Sequence, residues 1–478
     1  MRVLFVVYDL YLEPLGALYL AGVLKEHGHE TRLAVLAEDD LVAVAQEFHP
    51  DVVAHSLHTG VQAAHLAANA RLKEAGAFFA AFGGPHPTFF PEIIEEEGVD
   101  GACVGEGEHA LLGLVERLAA GGPPDDLANW WLRRDGQVVR NAVAPLIADL
   151  DTIPFPDREM LRPKEHLLKY PGQRSIMTAR GCPYQCAYCF NHAYNRLYEG
   201  TSKRVRRRSV ENVVEEALQL KRDYGAQFIY FADDTFNIMP EWLAEFAAEY
   251  PKRVGLPFVC NIRANVVDEE RMRLIAQAGA HSVCMGIETG NEALRNAVLK
   301  RAMTDEQIYR AAEIVHRLGL KLYTTNILGN PGGSLAHDLE TLRMNQKVRP
   351  DATAVMLLQP YPRTEIRAHA EELGVLQGTV EDIPSSATRV STIRMAPGER
   401  RQVENLHRLF GLFVLAPWLT PLARTLIRLP LGRLYLLVYM ALNEYRTRAH
   451  IFRPGPSIGF YWRMIRARLA KRWPFHMG

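Results

Sequence analysis

Cysteine is scarce in this chain, and so is any imbalance of charge. Six cysteines in 478 residues fall far below the density of a disulfide-built secreted scaffold. Lysine plus arginine equals aspartate plus glutamate, 55 against 55, so no overall field gathers nucleic acid, and no nucleic-acid partner is expected. The opening "MRVLFVVYDL" lacks a charged lead before a cleavable apolar segment, which reads as a cytoplasmic protein. Long hydrophobic runs are missing from the C-terminal region too: "LFGLFVLAPWLTPLA" at 409–423 has fifteen uncharged residues and two prolines, short of the roughly 20 that a spanning helix needs. No internal repeat is visible, and no G-x-G-x-x-G follows the first apolar run, which argues against a dinucleotide site.

What is present is a strand–helix rhythm. Short apolar runs such as "MRVLFVV", "PDVVAHS" and "FFAAFGG" alternate with segments of helical periodicity such as "TGVQAAHLAANARLKEA". Five such units over 1–125 predict a doubly wound, Rossmann-like α/β domain with a parallel sheet. A connector at 126–170 holds a small hairpin with Asp-Gly at its turn. The rhythm resumes over 171–380, with strands expected at "FIYFAD", "FVCNIRA", "HSVCMGIE", "KLYTTNILG" and "ATAVMLLQP", enough for a partial or complete (β/α) barrel. Residues 381–478 read as a basic helical cap, with thirteen lysines and arginines against two acids over 401–478. Packing on the preceding domain is the plainer role for it, and contact with a membrane surface or an apolar substrate is the alternative.

Three of the six cysteines crowd into "RGCPYQCAYCFN" at 180–191, as Cys182, Cys186 and Cys189. In a reducing compartment such thiols are left for metal, and soft sulfur selects zinc or iron–sulfur over hard cations. Structural zinc wants a closed tetrahedron, which here needs His192 as fourth ligand; an open corner on a cluster is the favoured reading. Cys103, Cys260 and Cys284 fall on expected strands as buried apolar residues.

The three-cysteine spacing, with Tyr188 before the last of them, resembles the signature of the radical S-adenosylmethionine (radical SAM) superfamily. That resemblance implies a [4Fe-4S] cluster whose open iron binds the amino and carboxylate groups of SAM, and reductive cleavage of SAM to a 5′-deoxyadenosyl radical. It also implies cofactor contacts by Tyr188, by Asp233 and Asp234 in "YFADDTF" toward the SAM ammonium, and by Arg263 in "CNIRAN" toward its carboxylate or ribose. Glu288 in "MGIETG" falls where the family contacts the ribose or amino group, and Gly329 in "NILGNPGGS" where backbone approaches the adenine. A reductant such as flavodoxin or ferredoxin is the partner this chemistry implies.

A second resemblance covers the first 120 or so residues. The pieces "PLGALYLAGVLKEHGHE" at 14–30, "SLHTG" at 56–60, "GGPHPT" at 83–88 and "VGEGEHALL" at 104–112 are similar to the cobalamin-binding domain fused ahead of radical SAM domains. They imply contacts by Pro14, Gly16, His58, Thr59, Gly60, Gly83, Gly84, His86, Gly105, Glu106, Gly107 and Glu108. The loop "YDLYLEPLG" departs from the Asp-x-His-x-x-Gly pattern that supplies an imidazole to cobalt. Cobalamin is then expected without that lower ligand, His58 being the alternative from another loop.

The two cofactors together point to methyl transfer from methylcobalamin to an unactivated carbon of a small molecule, a secondary metabolite or a lipid or tetrapyrrole-like compound. An anaerobic oxidative cyclase or a ring rearrangement with the same cofactors is the alternative reaction. A non-catalytic cobalamin or iron–sulfur sensor is the contrasting class.

Overall fold

The computed structural model describes residues 1–170, 172–200, 205–384 and 391–453. Two compact units emerge, one of residues 1–170 with 194–200, the other of 172–193, 205–384 and 391–453. The expected cap at 381–478 is therefore described in part, and 385–390 and 454–478 lie outside the described residues.

In the first unit, β1 (Arg2–Val7), β2 (Glu30–Val35), β3 (Val52–Ser56), β4 (Phe79–Gly83) and β5 (Gly101–Cys103) form a parallel sheet in the order 2-1-3-4-5. Connecting helices are α1 (Leu15–Glu26), α2 (Leu41–Phe48), α3 (Gln62–Ala75), the short α4 (Pro85–Phe89) and α5 (Glu108–Ala119). Alternation along β1 shows why the sheet is covered on both faces. Val3, Phe5 and Val7 pack with α1 and α5 residues such as Leu18 and Leu114, whereas Leu4 and Val6 pack with Leu41 of α2 and Leu72 of α3.

The hairpin expected in the connector is not a separate piece. Its strands β6 (Trp130–Arg134) and β7 (Gln137–Arg140) extend the sheet antiparallel from β5, through the pairing of Gly101 with Leu132. Asp135 and Gly136 turn it with φ of 48° and 76°, the left-handed pair that a two-residue hairpin loop demands. Trp130, fully buried, anchors it by donating Nε1–H to the Ala110 carbonyl at 2.8 Å.

The second unit begins with β8 (Gln173–Ile176) and the small antiparallel pair β9 (Ala179–Arg180) and β10 (Arg206–Arg207), with α6 (Phe190–Leu197) opening just after the cysteine loop. Then come α7 (Val210–Tyr224), β11 (Phe228–Phe231), α8 (Pro240–Arg253), β12 (Phe258–Ile262), α9 (Glu269–Gln277), β13 (Ala280–Glu288), α10 (Glu292–Ala297), α11 (Asp305–Arg317), β14 (Lys321–Leu328), α12 (Leu335–Val348) and β15 (Ala352–Leu357). Strands 8, 11, 12, 13, 14 and 15 pair in parallel in chain order, and β8 and β15 are the two edges, so the barrel is partial. An aromatic cluster of Phe231, Phe236, Phe246, Tyr250 and Phe258 fills the space under α8.

The cap elements α13 (Glu365–Glu372), α14 (Pro397–Leu415), α15 (Ala423–Leu426) and α16 (Gly432–His450) follow. Helices α14 and α16 lie against β15, where His407 Nε2 meets the Val355 carbonyl at 3.0 Å. Burial drives the His407 pKa down to about 4, so a neutral ring makes that bond.

Candidate functional site

Five of the six strands of the partial barrel are followed or closed by candidate residues at their C-terminal ends, the end where ligands of such folds collect. Cys182 follows β8 and β9, Asp233 and Asp234 follow β11, Arg263 follows β12, Glu288 closes β13 and Gly329 follows β14.

The three thiols share one loop after β9. Burial pushes Cys189 up to about 12, with Asp234, Cys186 and Cys182 adding to it, and burial raises Cys182 as well, with Asp234 and Cys186 adding there. Three such thiolates need a cationic centre to hold them ionised. Among the described residues no three His, Cys, Asp or Glu side chains converge on a single metal ion, and His192 is engaged 2.9 Å from Glu365, which corrects it as a fourth zinc ligand. Donors surround the sulfurs: Arg263 Nη1 lies 3.5 Å from Cys186 Sγ, and Thr235 Oγ1 is 3.8 Å from Cys182 Sγ. A soft, anionic sulfur cluster fits this donor set.

Next to the thiols lies a buried polar box. Arg301 donates to the Tyr188 hydroxyl, to Glu288 Oε1 at 3.4 Å and to the Gly286 carbonyl at 2.7 Å. Thr325 Oγ1 donates to the same Glu288 oxygen at 3.3 Å. Burial raises the Glu288 pKa, against the pull of Arg301, Tyr188 and Thr325. Glu288 Oε2, Arg263 Nε and Arg301 Nε are buried with no hydrogen-bond partner among the described residues. Groups so arranged are costly unless a ligand meets them, and a zwitterionic sulfonium compound fits. Glu288 itself holds φ at 66°, a left-handed backbone that a bulky residue adopts at a cost, where the β13–β14 register shifts.

The two adjacent aspartates divide. Asp233 does not face a cofactor: its Oδ1 accepts from the Thr178 and Ala179 amides at 2.6 and 3.1 Å, and its Oδ2 accepts from Thr178 Oγ1 and from Arg207 Nη2 at 3.3 Å. Burial raises its pKa while Arg207 and Thr178 oppose, and the side chain works as a pin between β8 and β11. Asp234 instead bonds to Asn191, and its charge helps to raise the thiols of Cys182 and Cys189. Tyr188 is spoken for by Arg301, and Arg263 stacks 3.7 Å over the Tyr184 ring.

Gly329, at φ 71°, packs so that a Cβ would sit 2.5 Å from the Met395 side chain, and its amide donates to Asp338 at 3.2 Å. Sequence reasoning missed Asp338, Arg301, Tyr184 and Thr235. Arg301 sits between Lys300 at φ 51° and Ala302 at φ 49°, a conformation with no signal in "LKRAM".

In the first unit the expected residues gather at the C-terminal strand ends, with the switch point between β1 and β3. Pro14 caps α1 and Gly16 lies in its first turn, with open space around it. His58, exposed, sits beside Asp9, and its Nδ1 lies 3.0 Å from the Thr59 carbonyl. Thr59 and His86 are buried and bonded to each other at 3.1 Å, so these two side chains brace the loops. Gly60, Gly84 and Gly105 all have left-handed φ; a Cβ on Gly84, next to Gly83, would lie 2.8 Å from the Leu57 carbonyl oxygen, and one on Gly105 would run into the Tyr198 hydroxyl. Glu106 Oε2 accepts from the Ile147 amide at 2.9 Å, while Gly107 and a buried Glu108 begin α5. Close backbone approach of this kind suits a large flat ligand with a nucleotide tail.

Comparison with known proteins decides between these readings. The profile of the radical SAM superfamily matches residues 176–344, and that of the B12 binding domain matches residues 1–115. The chain carries a B12-binding domain followed by a radical SAM domain. An uncharacterised methyltransferase of Pyrococcus horikoshii is 28% identical over 365 residues, 75% of this chain and 78% of that protein. The anaerobic magnesium-protoporphyrin IX monomethyl ester cyclase of Rubrivivax gelatinosus is 28% identical over 382 residues, 76% of this chain and 66% of the cyclase. Among solved structures, the radical S-adenosylmethionine methyltransferase TsrM from Kitasatospora setae, with cobalamin and a [4Fe-4S] cluster bound, superposes with a TM-score of 0.67 at 17% identity, over 98% of this chain and 99% of TsrM. The cofactors that the two matched domains take are a [4Fe-4S] cluster, SAM and cobalamin.

Proposed function

We propose that this radical SAM enzyme transfers a methyl group to an unactivated carbon of a small-molecule substrate. When bound, the cluster and SAM supply a 5′-deoxyadenosyl radical and cobalamin supplies the methyl group. Cys182, Cys186 and Cys189 hold the cluster, with Arg263 and Thr235 donating toward two of the sulfurs. Glu288 and Arg301 offer buried, unmet polar atoms that would hold the polar part of SAM, Asp234 is a carboxylate that would receive its ammonium, and the Gly329 turn would take the adenine side. The strand-end loops of the first unit, opened by Gly84 and Gly105, cradle cobalamin. The observation that carries the reading is the three-cysteine loop, with Arg263 at one of its sulfurs, beside the unmet Glu288 and Arg301 atoms, in a chain that also bears a B12 domain.

A flavodoxin- or ferredoxin-like donor supplies the electron. Among the described residues no helix is long and apolar enough to cross a membrane. Oxidative cyclisation is the second reading, favoured by the relative from Rubrivivax gelatinosus. Anaerobically reconstituted enzyme with SAM, cobalamin, reductant and candidate substrates tests both: a product heavier by one methyl group supports the proposal, and an oxidised product without that gain supports the second. Cys186→Ala should abolish 5′-deoxyadenosine; its persistence would overturn both.

A further inference from the structure

The cap exposes apolar side chains that the catalytic reading does not use. Eleven large hydrophobic residues are exposed among the described residues, and eight of them fall within the short stretch 415–445, so they are a local feature and not the ordinary scatter of a soluble surface. Trp418, 77% exposed, and Leu422 lie in the turn after α14, whose last residue is the exposed Leu415. Leu429 and Leu431 precede α16, and Leu434, Leu437 and Tyr445 line the outer side of that helix at a spacing of three and eight residues. The opposite side of α16 is also apolar, with Tyr435 buried and Val438 packed on the α14 core. A helix apolar on both sides expects a second contact on its outer face.

Charge identifies the occupant. Between Glu404 and Glu444 the chain carries Arg408, Arg424, Arg428 and Arg433 and not one acidic residue. Three of these, Arg424, Arg428 and Arg433, are exposed and interleave with the exposed leucines. Leucine and tryptophan interleaved with arginine, with the half-buried and engaged Glu444 as the single acid at the far end of the segment, match the boundary of an anionic bilayer, where apolar groups enter the acyl edge and guanidinium groups meet phosphate. A soluble protein partner would be expected to meet some acidic residues in its complement as well.

We propose that the outer face of the 415–445 segment docks on an anionic lipid surface. The inference is independent of whether the reaction is methylation or cyclisation. It places the enzyme at a membrane and extends its substrate class toward molecules that partition into one.

The test is co-sedimentation of the full-length, cluster-loaded protein with vesicles of phosphatidylcholine alone and with vesicles in which a third of the lipid is phosphatidylglycerol. Binding to the second kind, weakened by salt, is expected. Replacing Arg424, Arg428 and Arg433 together by Ser should weaken it roughly a hundredfold, at about one factor of five per charge. Trp418→Ser with Leu437→Ser should weaken it at unchanged charge. All five side chains are exposed, and unaltered cluster content and melting temperature will show that the variants fold. Equal sedimentation with both vesicles, none with either, or binding indifferent to both sets of substitutions would overturn the proposal. So would a concentration-dependent dimer abolished by the same substitutions, which would assign the face to a second copy of the chain.

Discussion

Asp233→Asn and Asp234→Asn are adjacent, chemically identical changes that the structure expects to behave oppositely. Asp233 is 1% exposed and pairs with Arg207, itself 3% exposed at the side chain. Asn keeps an acceptor for the Thr178 and Ala179 amides but leaves the guanidinium buried without its counter-charge. Breaking a buried pair in this way costs about 3–5 kcal/mol. Arg207 retains weak bonds to the Thr235 and Phe236 carbonyls at 3.5 and 3.3 Å and lies 4.4 Å over the Trp242 ring, which favours the lower figure. At about 2–4 °C per kcal/mol for a unit of this size, the melting temperature of the second unit should fall by roughly 6–12 °C. Asp234 is exposed at the mouth of the thiol site, so its change should leave stability within about 0.5 kcal/mol. Losing a charged acceptor for an ammonium should instead weaken SAM by about tenfold. Anaerobic scanning fluorimetry of cluster-loaded protein, with calorimetric titration of SAM, reads both. Equal melting temperatures for the two variants, or lost SAM affinity in Asp233→Asn at native stability, would refute the assignment of pin and ligand.

Further predictions follow from single contacts. Arg263→Gln removes a charge 3.5 Å from Cys186 Sγ, so a redox titration followed by EPR should show a cluster harder to reduce, on the order of 60 mV lower for a tenfold shift; an unchanged potential would exclude Arg263 from tuning it. Asp338, held up to about 7 by burial, keeps in the folded state a proton that the unfolded chain releases near pH 4. Stability of the second unit should therefore fall as pH rises from about 4 to 7, and Asp338→Asn should flatten that slope in thermal melts; an identical slope refutes it. Gly84→Ala forces a side chain into φ 99° and against the Leu57 carbonyl, which should destabilise the first unit by about 1–3 kcal/mol and lower cobalamin retained after gel filtration.

Much of the fold was legible because each strand announces itself as an apolar run: "VLFVV" in β1 is buried on both faces, as only a strand of a parallel sheet needs to be. The cysteine trio was legible because its members are neighbours in sequence. Long-range pairing was not. The Asp-Gly turn showed a hairpin, yet nothing local says that Leu132 pairs with Gly101. Which aspartate of "ADD" turns inward depends on one residue of register after β11, and sequence pattern resolves no register that finely. Arg301 was hidden for a different reason, lying in a loop whose backbone is set by packing and not by its own residues.

The α14–α16 pair has a consequence for any attempt to shorten this protein. With His407 bonded to Val355 and both helices laid along β15, the cap shields the final strand of an unclosed sheet. A chain truncated before residue 397 would leave that strand's amides and carbonyls bare, ready to recruit a matching strand from another molecule. Insolubility of such a fragment would then report an uncovered edge, not a catalytic domain that cannot fold.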